Sequence, residues 1–272
     1  VSQPPPVLPA DAEALLFAHL EALLPLRNPS GDPDNAVIRY TRAVLASCGR
    51  TVTVADEYGS LYAPPRDTPG PGAPLRAIVA HTDSVCQEGG ADEEPFTFDG
   101  AVYRSKRLLR PLGGDDKCGV AVALTLAALM PEVAVVLPAD EEVGLFGAGA
   151  MELPHAFDLM VECDRRHEDQ LVCAMLDADE NPVYVASRPA VRAAVRLLPW
   201  REPTAGGGTD VAAFVARGLA RNAFNLSVGY YEPHTPGEYV VAAHVAGALR
   251  DAALLLRLLP AGLVPAPGVT AP

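Results

Sequence analysis

Apolar positions fall into two rhythms along the chain. Over residues 11–24 they recur at helical spacing, with Leu15, Leu16, Leu20, Leu23 and Leu24 sharing a face with His19 and Asp11 placed to cap. Pro33 is placed to open a second helix that runs to Ala46 or Ser47 and stops near Gly49. Short strands are predicted over 51–55 and 60–62, then a Pro/Gly loop over 64–74. Four apolar runs follow, at 76–80, 133–137, 157–161 and 222–228. Runs without polar alternation suit strands buried on both faces. Helical stretches are predicted over 116–130, 210–218 and 238–258. This alternation predicts an α/β fold: a single-domain mixed β-sheet sandwiched by helices. The catalytic unit is expected over 10–260, between a Pro-rich lead-in at 1–9 and a Pro/Gly-rich tail at 261–272.

Each of the four runs hands over to histidine or carboxylate. The first ends at His81, the second near Asp140, Glu141 and Glu142, the third at Glu162 and Asp164, and the fourth is soon followed by His234. In open α/β sheets the ligand site lies beyond the carboxyl ends of the strands. Asp115 joins the set after two glycines, just before the predicted helix at 116–130. His81, Asp115, Glu142, Asp164 and His234 offer imidazole and carboxylate without thiolate, which suits a catalytic zinc or similar ion. Three carboxylates set against two divalent ions make such a cluster far cheaper to bury than unpaired acids.

Neighbouring residues suggest supporting roles. Asp83 lies two residues from His81 and can bond its second ring nitrogen. Glu141 and Glu142 diverge, so one can bind metal while the other serves as general base. The residues alone do not choose between Asp115 and Asp116, or between Glu162 and Asp164. His19, His155, His167 and His244 lack comparable context and read as structural or surface groups.

Composition narrows the field. The chain has 272 residues, 49% of them hydrophobic, enough for a sizeable core. A net charge of −13 argues against a nucleic-acid partner. Five cysteines (Cys48, Cys86, Cys118, Cys163 and Cys173) form no Cys-x-x-Cys, which points to a reducing, cytoplasmic setting. Cys118 and Cys163 read as core. No secretory signal pattern is seen, and the apolar runs are too short or interrupted to span a membrane.

Six blocks now stand together: His-Thr-Asp-Ser-Val, Gly-Gly-Asp-Asp-Lys-Cys-Gly, Asp-Glu-Glu-Val-Gly-Leu-Phe-Gly-Ala, Glu-Cys-Asp-Arg-Arg, Gly-Gly-Gly-Thr-Asp and Asn-Leu-Ser-Val-Gly-Tyr-Tyr-Glu-Pro-His-Thr-Pro. In this order they resemble the zinc-dependent aminopeptidases of the M28 and M20 clan. The resemblance implies a zinc-exopeptidase fold with two divalent metal ions, most simply Zn2+, with Co2+ or Mn2+ also acceptable. It implies that His81 and Asp164 hold one ion, Glu142 and His234 the other, and that Asp115 bridges them. Glu141 would be the base and Asp83 the partner of His81. Tyr230 or Tyr231 is a candidate for stabilising the oxyanion. M20 members usually carry a lid domain between the last acidic ligand and the final histidine. The 70-residue interval from Asp164 to His234 has no room for one, so the compact M28 type is expected. Residues 171–208 match least clearly. Trp200 and Arg201 are candidates for lining the pocket there, with packing the favoured role for Trp200. The implied substrate is a short peptide or amino-acid amide, and homo-oligomers are compatible with the reading. The competing readings are a deacylase of N-acyl amino acids and a non-catalytic metal-binding module.

Overall fold

The structure is a computed structural model that describes residues 8–67, 70, 72–85, 96–106, 110–177 and 179–264. Helices α1 (Ala12–Leu23) and α2 (Ala36–Ser47) come first, followed by short strands β1 (Thr53–Val54) and β2 (Leu61–Ala63). Strand β3 (Arg76–Val79) precedes a hairpin of β4 (Phe96–Phe98) and β5 (Val102–Ser105). Helix α3 (Gly114–Leu129), β6 (Ala134–Leu137), α4 (Phe146–Ala150) and β7 (Leu159–Arg165) complete the first half. Next come β8 (Gln170–Leu176), β9 (Pro182–Tyr184), α5 (Arg188–Leu197) and β10 (Glu202–Gly206). The chain closes with α6 (Asp210–Ala216), β11 (Ala223–Ser227), β12 (Tyr230–Tyr231), β13 (Tyr239–Val241) and α7 (Ala242–Leu258).

The large sheet runs β1-β2-β6-β3-β7-β11-β8-β10, with β9 beside β8. Its centre, β6-β3-β7-β11, is parallel, while β2 and β8 join antiparallel. The apolar runs supply this centre because their residues must be buried on both faces. Ile78, Val135, Leu137 and Val161 point into the larger core under α1, α2, α3 and α7. Ala77, Val79, Val136 and Met160 point into the second, with Val211 and Phe214 of α6. Helix α3 is buried at every position from Gly114 to Ala127. Its run of Val, Ala and Leu on all sides is what a fully enclosed helix requires. The mixed sheet between two helical layers is therefore the fold expected from the pattern.

Several local expectations are corrected. Asn35, not Pro33, starts the second helix, its side chain accepting a hydrogen bond from the Ile38 N–H. Asp11 stands at the first N-cap but makes no side-chain capping bond. The stretch 238–258 is not one helix: Tyr239–Val241 pairs with β5 as β13, and the helix begins at Ala242. Strands β12-β13-β5-β4 form a small second sheet that the pattern did not predict. The segment 171–208 holds the β8–β10 edge of the main sheet and α5. Trp200 and Arg201 do not line the cleft. Arg201 is buried and pairs with Asp251 at 2.5 Å, and the exposed Trp200 indole donates to the same carboxylate. The described cysteines are free, with Cys118, Cys163 and Cys173 buried, and Cys86 lies outside the described residues.

Candidate metal centre

The parallel strands end on one side of the sheet, and the chemistry collects there. His81 follows β3 by two residues, and Asp164 is the penultimate residue of β7. Glu141 and Glu142 lie between β6 and α4, and His234 between β12 and β13. Asp115 stands at the start of α3, where neither it nor Asp116 has helical φ/ψ, and the peptide bond between them is cis. Gly113 adopts a left-handed φ of 74°, which lets the chain turn into this segment.

All five candidate ligands converge. His81 Nε2 lies 3.1 Å from Asp115 Oδ1 and 3.4 Å from Asp164 Oδ1. His234 Nε2 lies 3.2 Å from Asp115 Oδ2 and 2.9 Å from Glu142 Oε1. Each oxygen of Asp115 thus faces a different imidazole. Among the described residues, three groups drawn from these ligands and the adjacent Asp116 and Glu141 bring potential ligand atoms within 4.8 Å: His81, Asp116 and Asp164; His81, Glu141 and Glu142; Asp115, Glu142 and His234. Ligands about 2.0–2.2 Å from a tetrahedral ion lie about 3.3–3.6 Å apart, so the contacts approach the edges of such polyhedra. The donor chemistry and the spacing both fit divalent ions.

The surrounding residues fix these groups. Asp83 Oδ1 lies 3.3 Å from His81 Nδ1 and accepts the Glu141 N–H at 3.0 Å. Its Oδ2 accepts from the Ser30 hydroxyl and the Glu142 N–H. One carboxylate therefore stands beside the imidazole and holds the loop carrying both glutamates. Asp116 Oδ1 accepts the Gly119 N–H, three residues on, as a helix-capping carboxylate does. Glu162 shares the Asp164 side of β7 but lies deeper, where it accepts from the Thr209 hydroxyl. Asn225 bonds both the N–H and the carbonyl of Asp164, and the Tyr230 hydroxyl donates to its Oδ1 at 3.1 Å. The Tyr231 hydroxyl instead meets Glu168 and His244.

Glu238 was not singled out from the sequence. It is buried, and its two oxygens accept the Gly113 and Asp115 N–H groups at 2.6 and 3.1 Å. Only its place beside the Pro-His-Thr-Pro block could have drawn notice.

The electrostatics are those of a crowded acid cluster. Burial, then repulsion by Asp115 and Glu162, pushes the Asp164 carboxyl well above its usual range against the pull of His81. Burial, then Asp164 and Asp115, does the same to Asp116. Burial opposes ionisation of Asp115, but bonds to His234 and His81 hold it low. Burial would lower the His81 pKa, yet Asp164, Asp115 and Asp83 raise it well above its usual value. Glu141 is pushed to about 8 by burial, then by Asp164, Glu142 and Asp115, with His81 opposing. A cation here relieves this repulsion.

The cluster opens into a cleft of about 600 Å³ lined by Asp115, Glu141, Glu142, Asp164 and His234. Arg165, Arg166, Tyr230 and Glu232 line the same cleft. Glu232 and His234 both have left-handed φ, at 51° and 63°, so the loop presenting His234 carries local backbone strain. A second pocket of about 390 Å³ lies among β8, β9, α5 and β10 and includes none of the candidate ligands.

No protein-family model matches the chain, and no curated protein matches it by sequence. Solved structures do match it, and they define an aminopeptidase-type fold. Aminopeptidase PepT from Bacillus cereus aligns with TM-score 0.73 and 14% identity over 92% of this chain and 98% of that one. A tripeptidase from Staphylococcus aureus aligns with TM-score 0.75 and 14% identity, covering 91% of this chain and 98% of the other. An aminopeptidase from the archaeon Desulfurococcus kamchatkensis gives TM-score 0.67 and 15% identity, over 90% of this chain and 95% of its own. The fold expected from the sequence blocks is the fold found.

Proposed function

We propose that the chain is a dinuclear metal-dependent hydrolase, an aminopeptidase that removes the first residue of short peptides. The observation that carries this reading is Asp115, whose two oxygens face His81 and His234 at 3.1 and 3.2 Å. His81 and Asp164 would hold one ion and Glu142 and His234 the other, with Asp115 between them. Zinc suits these donors, as do cobalt and manganese. When bound, such a pair supplies Lewis-acid polarisation of a carbonyl and a lowered pKa for water.

The protein's own groups do the rest. Glu141 lines the cleft, and its backbone is fixed by Asp83. In this reading it accepts a proton from the attacking water and returns it to the leaving amine. Tyr230 is the hydroxyl at hand for the oxyanion, since it lines the cleft beside Asp164 and Tyr231 does not line it. The catalytic unit would span 10–260. Four free cysteines support a reducing, cytoplasmic setting, and no described helix is long and apolar enough to cross a membrane. The Pyrococcus horikoshii TET1 peptidase, of TM-score 0.65 and 15% identity, can assemble into a tetrahedron or a large octahedral shell. Self-association of this chain belongs to the proposal and is read by light scattering.

Glu141→Gln tests the mechanism. Metal content by elemental analysis should stay at the wild-type level while turnover falls by roughly 10²- to 10⁴-fold. Full activity in that variant would remove Glu141 as the base. Offering one short peptide with a free and with an acetylated N-terminus tests the substrate. Loss of the first residue from the free peptide alone supports the aminopeptidase, and release of acetate alone makes the protein a deacylase.

A further inference from the structure

The cleft is polarised in charge. Asp115, Glu141, Glu142, Asp164 and Glu232 line it as carboxylates, and Arg165 and Arg166 line it as guanidiniums. The two arginines differ. Arg165 is half-buried, and its Nε donates to Gln170 Oε1 at 2.7 Å. Arg166 is exposed, and among the described residues its guanidinium makes no ion pair or hydrogen bond. Only its backbone is tied down, its carbonyl accepting from the Ser227 hydroxyl at 2.7 Å. In a chain with 34 acidic residues against 21 basic ones, a fixed backbone thus offers a free guanidinium to the cleft.

Position says what it can reach. Arg166 follows directly on β7, two residues beyond Asp164. Two steps of extended strand cover about 7 Å. A tripeptide with its first carbonyl at the metal cluster carries its terminal carboxylate about 7 Å further along, by the reach of two extended residues. Arginine matches a carboxylate with a planar, bidentate fork.

We propose that Arg166 is a specificity-determining residue that binds a carboxylate of the peptide substrate. This rests on the aminopeptidase reading of the same site. Two sources supply that chemistry: the free C-terminus of a di- or tripeptide, and an acidic side chain on the first residue. The cleft then favours short zwitterionic or acidic peptides over long neutral ones.

The test compares Ala-Ala-Ala, Ala-Ala-Ala-amide and Asp-Ala-Ala-amide on zinc-loaded wild type, Arg166→Ala and Arg166→Lys. Binding of the same peptides to the Glu141→Gln variant, with and without Arg166→Ala, is measured by calorimetry. The wild type should prefer a carboxylate-bearing peptide to Ala-Ala-Ala-amide. Arg166→Ala should shrink that preference by about 10- to 100-fold, through KM rather than kcat. Arg166→Lys should restore part of it, because the charge returns without the fork. A preference for Ala-Ala-Ala assigns the C-terminus as the source, and one for Asp-Ala-Ala-amide assigns the acidic side chain. Equal treatment of all three peptides by the wild type, or a preference that Arg166→Ala leaves intact, overturns the inference while the aminopeptidase reading stands. If no peptide is cleaved, that reading fails, and the calorimetry still decides whether Arg166 selects carboxylates.

Discussion

Two helical glycines show how much of this site is decided by single atoms. At Gly119 an added Cβ would lie 2.1 Å from the Cys163 carbonyl oxygen and 2.4 Å from Asp116 Oδ2. Helix α3 can approach β7 and accept the Asp116 cap only because that position carries no side chain. At Gly247 in α7 an added Cβ meets nothing within 4 Å. Gly119→Ala should cost roughly 1–3 kcal/mol through overpacking, and Gly247→Ala should gain up to about 1 kcal/mol from helix propensity. Urea denaturation of both variants checks the pair, and equal shifts would contradict the packing argument. The sequence showed that His, Asp and Glu at strand ends belong together. It did not give Gly119 its role, because the clash depends on a carbonyl 44 residues away in the chain. Glu238 escaped for the same reason, since a buried carboxylate that serves backbone N–H groups looks like any other acid in a sequence.

At the scale of elements, the parallel centre was legible because four runs of uniform apolar character have few other ways to be buried. The boundary at 238–258 was not. Tyr239, Val240 and Val241 continue the apolar character of the following helix, and only pairing with β5 makes them a strand. That strand matters because Glu238, immediately before it, anchors Gly113 and Asp115. Glu238→Gln replaces one acceptor with an amide that faces an N–H. It should cost about 1–3 kcal/mol of stability and about 10- to 100-fold in metal affinity. Melting curves and metal titration test this, and unchanged metal binding would detach Glu238 from the site. Between α1 and α2, burial lowers the His19 pKa below 6.5, and its Nδ1 meets the Tyr40 hydroxyl at 3.2 Å. The neutral ring is the one that fits, so this contribution is present above the unfolded pKa and is lost as pH falls through the folded one. Acidification from pH 7.5 to 5 should therefore cost the wild type more stability than His19→Gln, and parallel pH profiles would remove His19 from that account.

At the scale of the molecule, one site ties together segments from residue 81 to residue 234, so the metals should act on folding as well as on chemistry. Ions that bind only the folded state stabilise it by about 2.7 kcal/mol at one hundred times their Kd. For a chain of this size, 1 kcal/mol moves the melting point by about 2–4 °C. Chelation should therefore lower the melting temperature by about 5–10 °C. The pH dependence follows from the acid cluster. Without ions, burial and repulsion hold the Asp164 and Asp116 carboxyls well above their usual range. Folded-state pKa values above the unfolded ones give stability that is complete at low pH and lost as pH rises toward the folded values. Bound ions would remove that penalty by favouring the ionised carboxylates. The loss on chelation should accordingly be larger at pH 8 than at pH 5. Thermal denaturation with and without EDTA at the two values measures it. A loss that is the same at both, or larger at pH 5, would mean that Asp164 does not hold an ion as assigned.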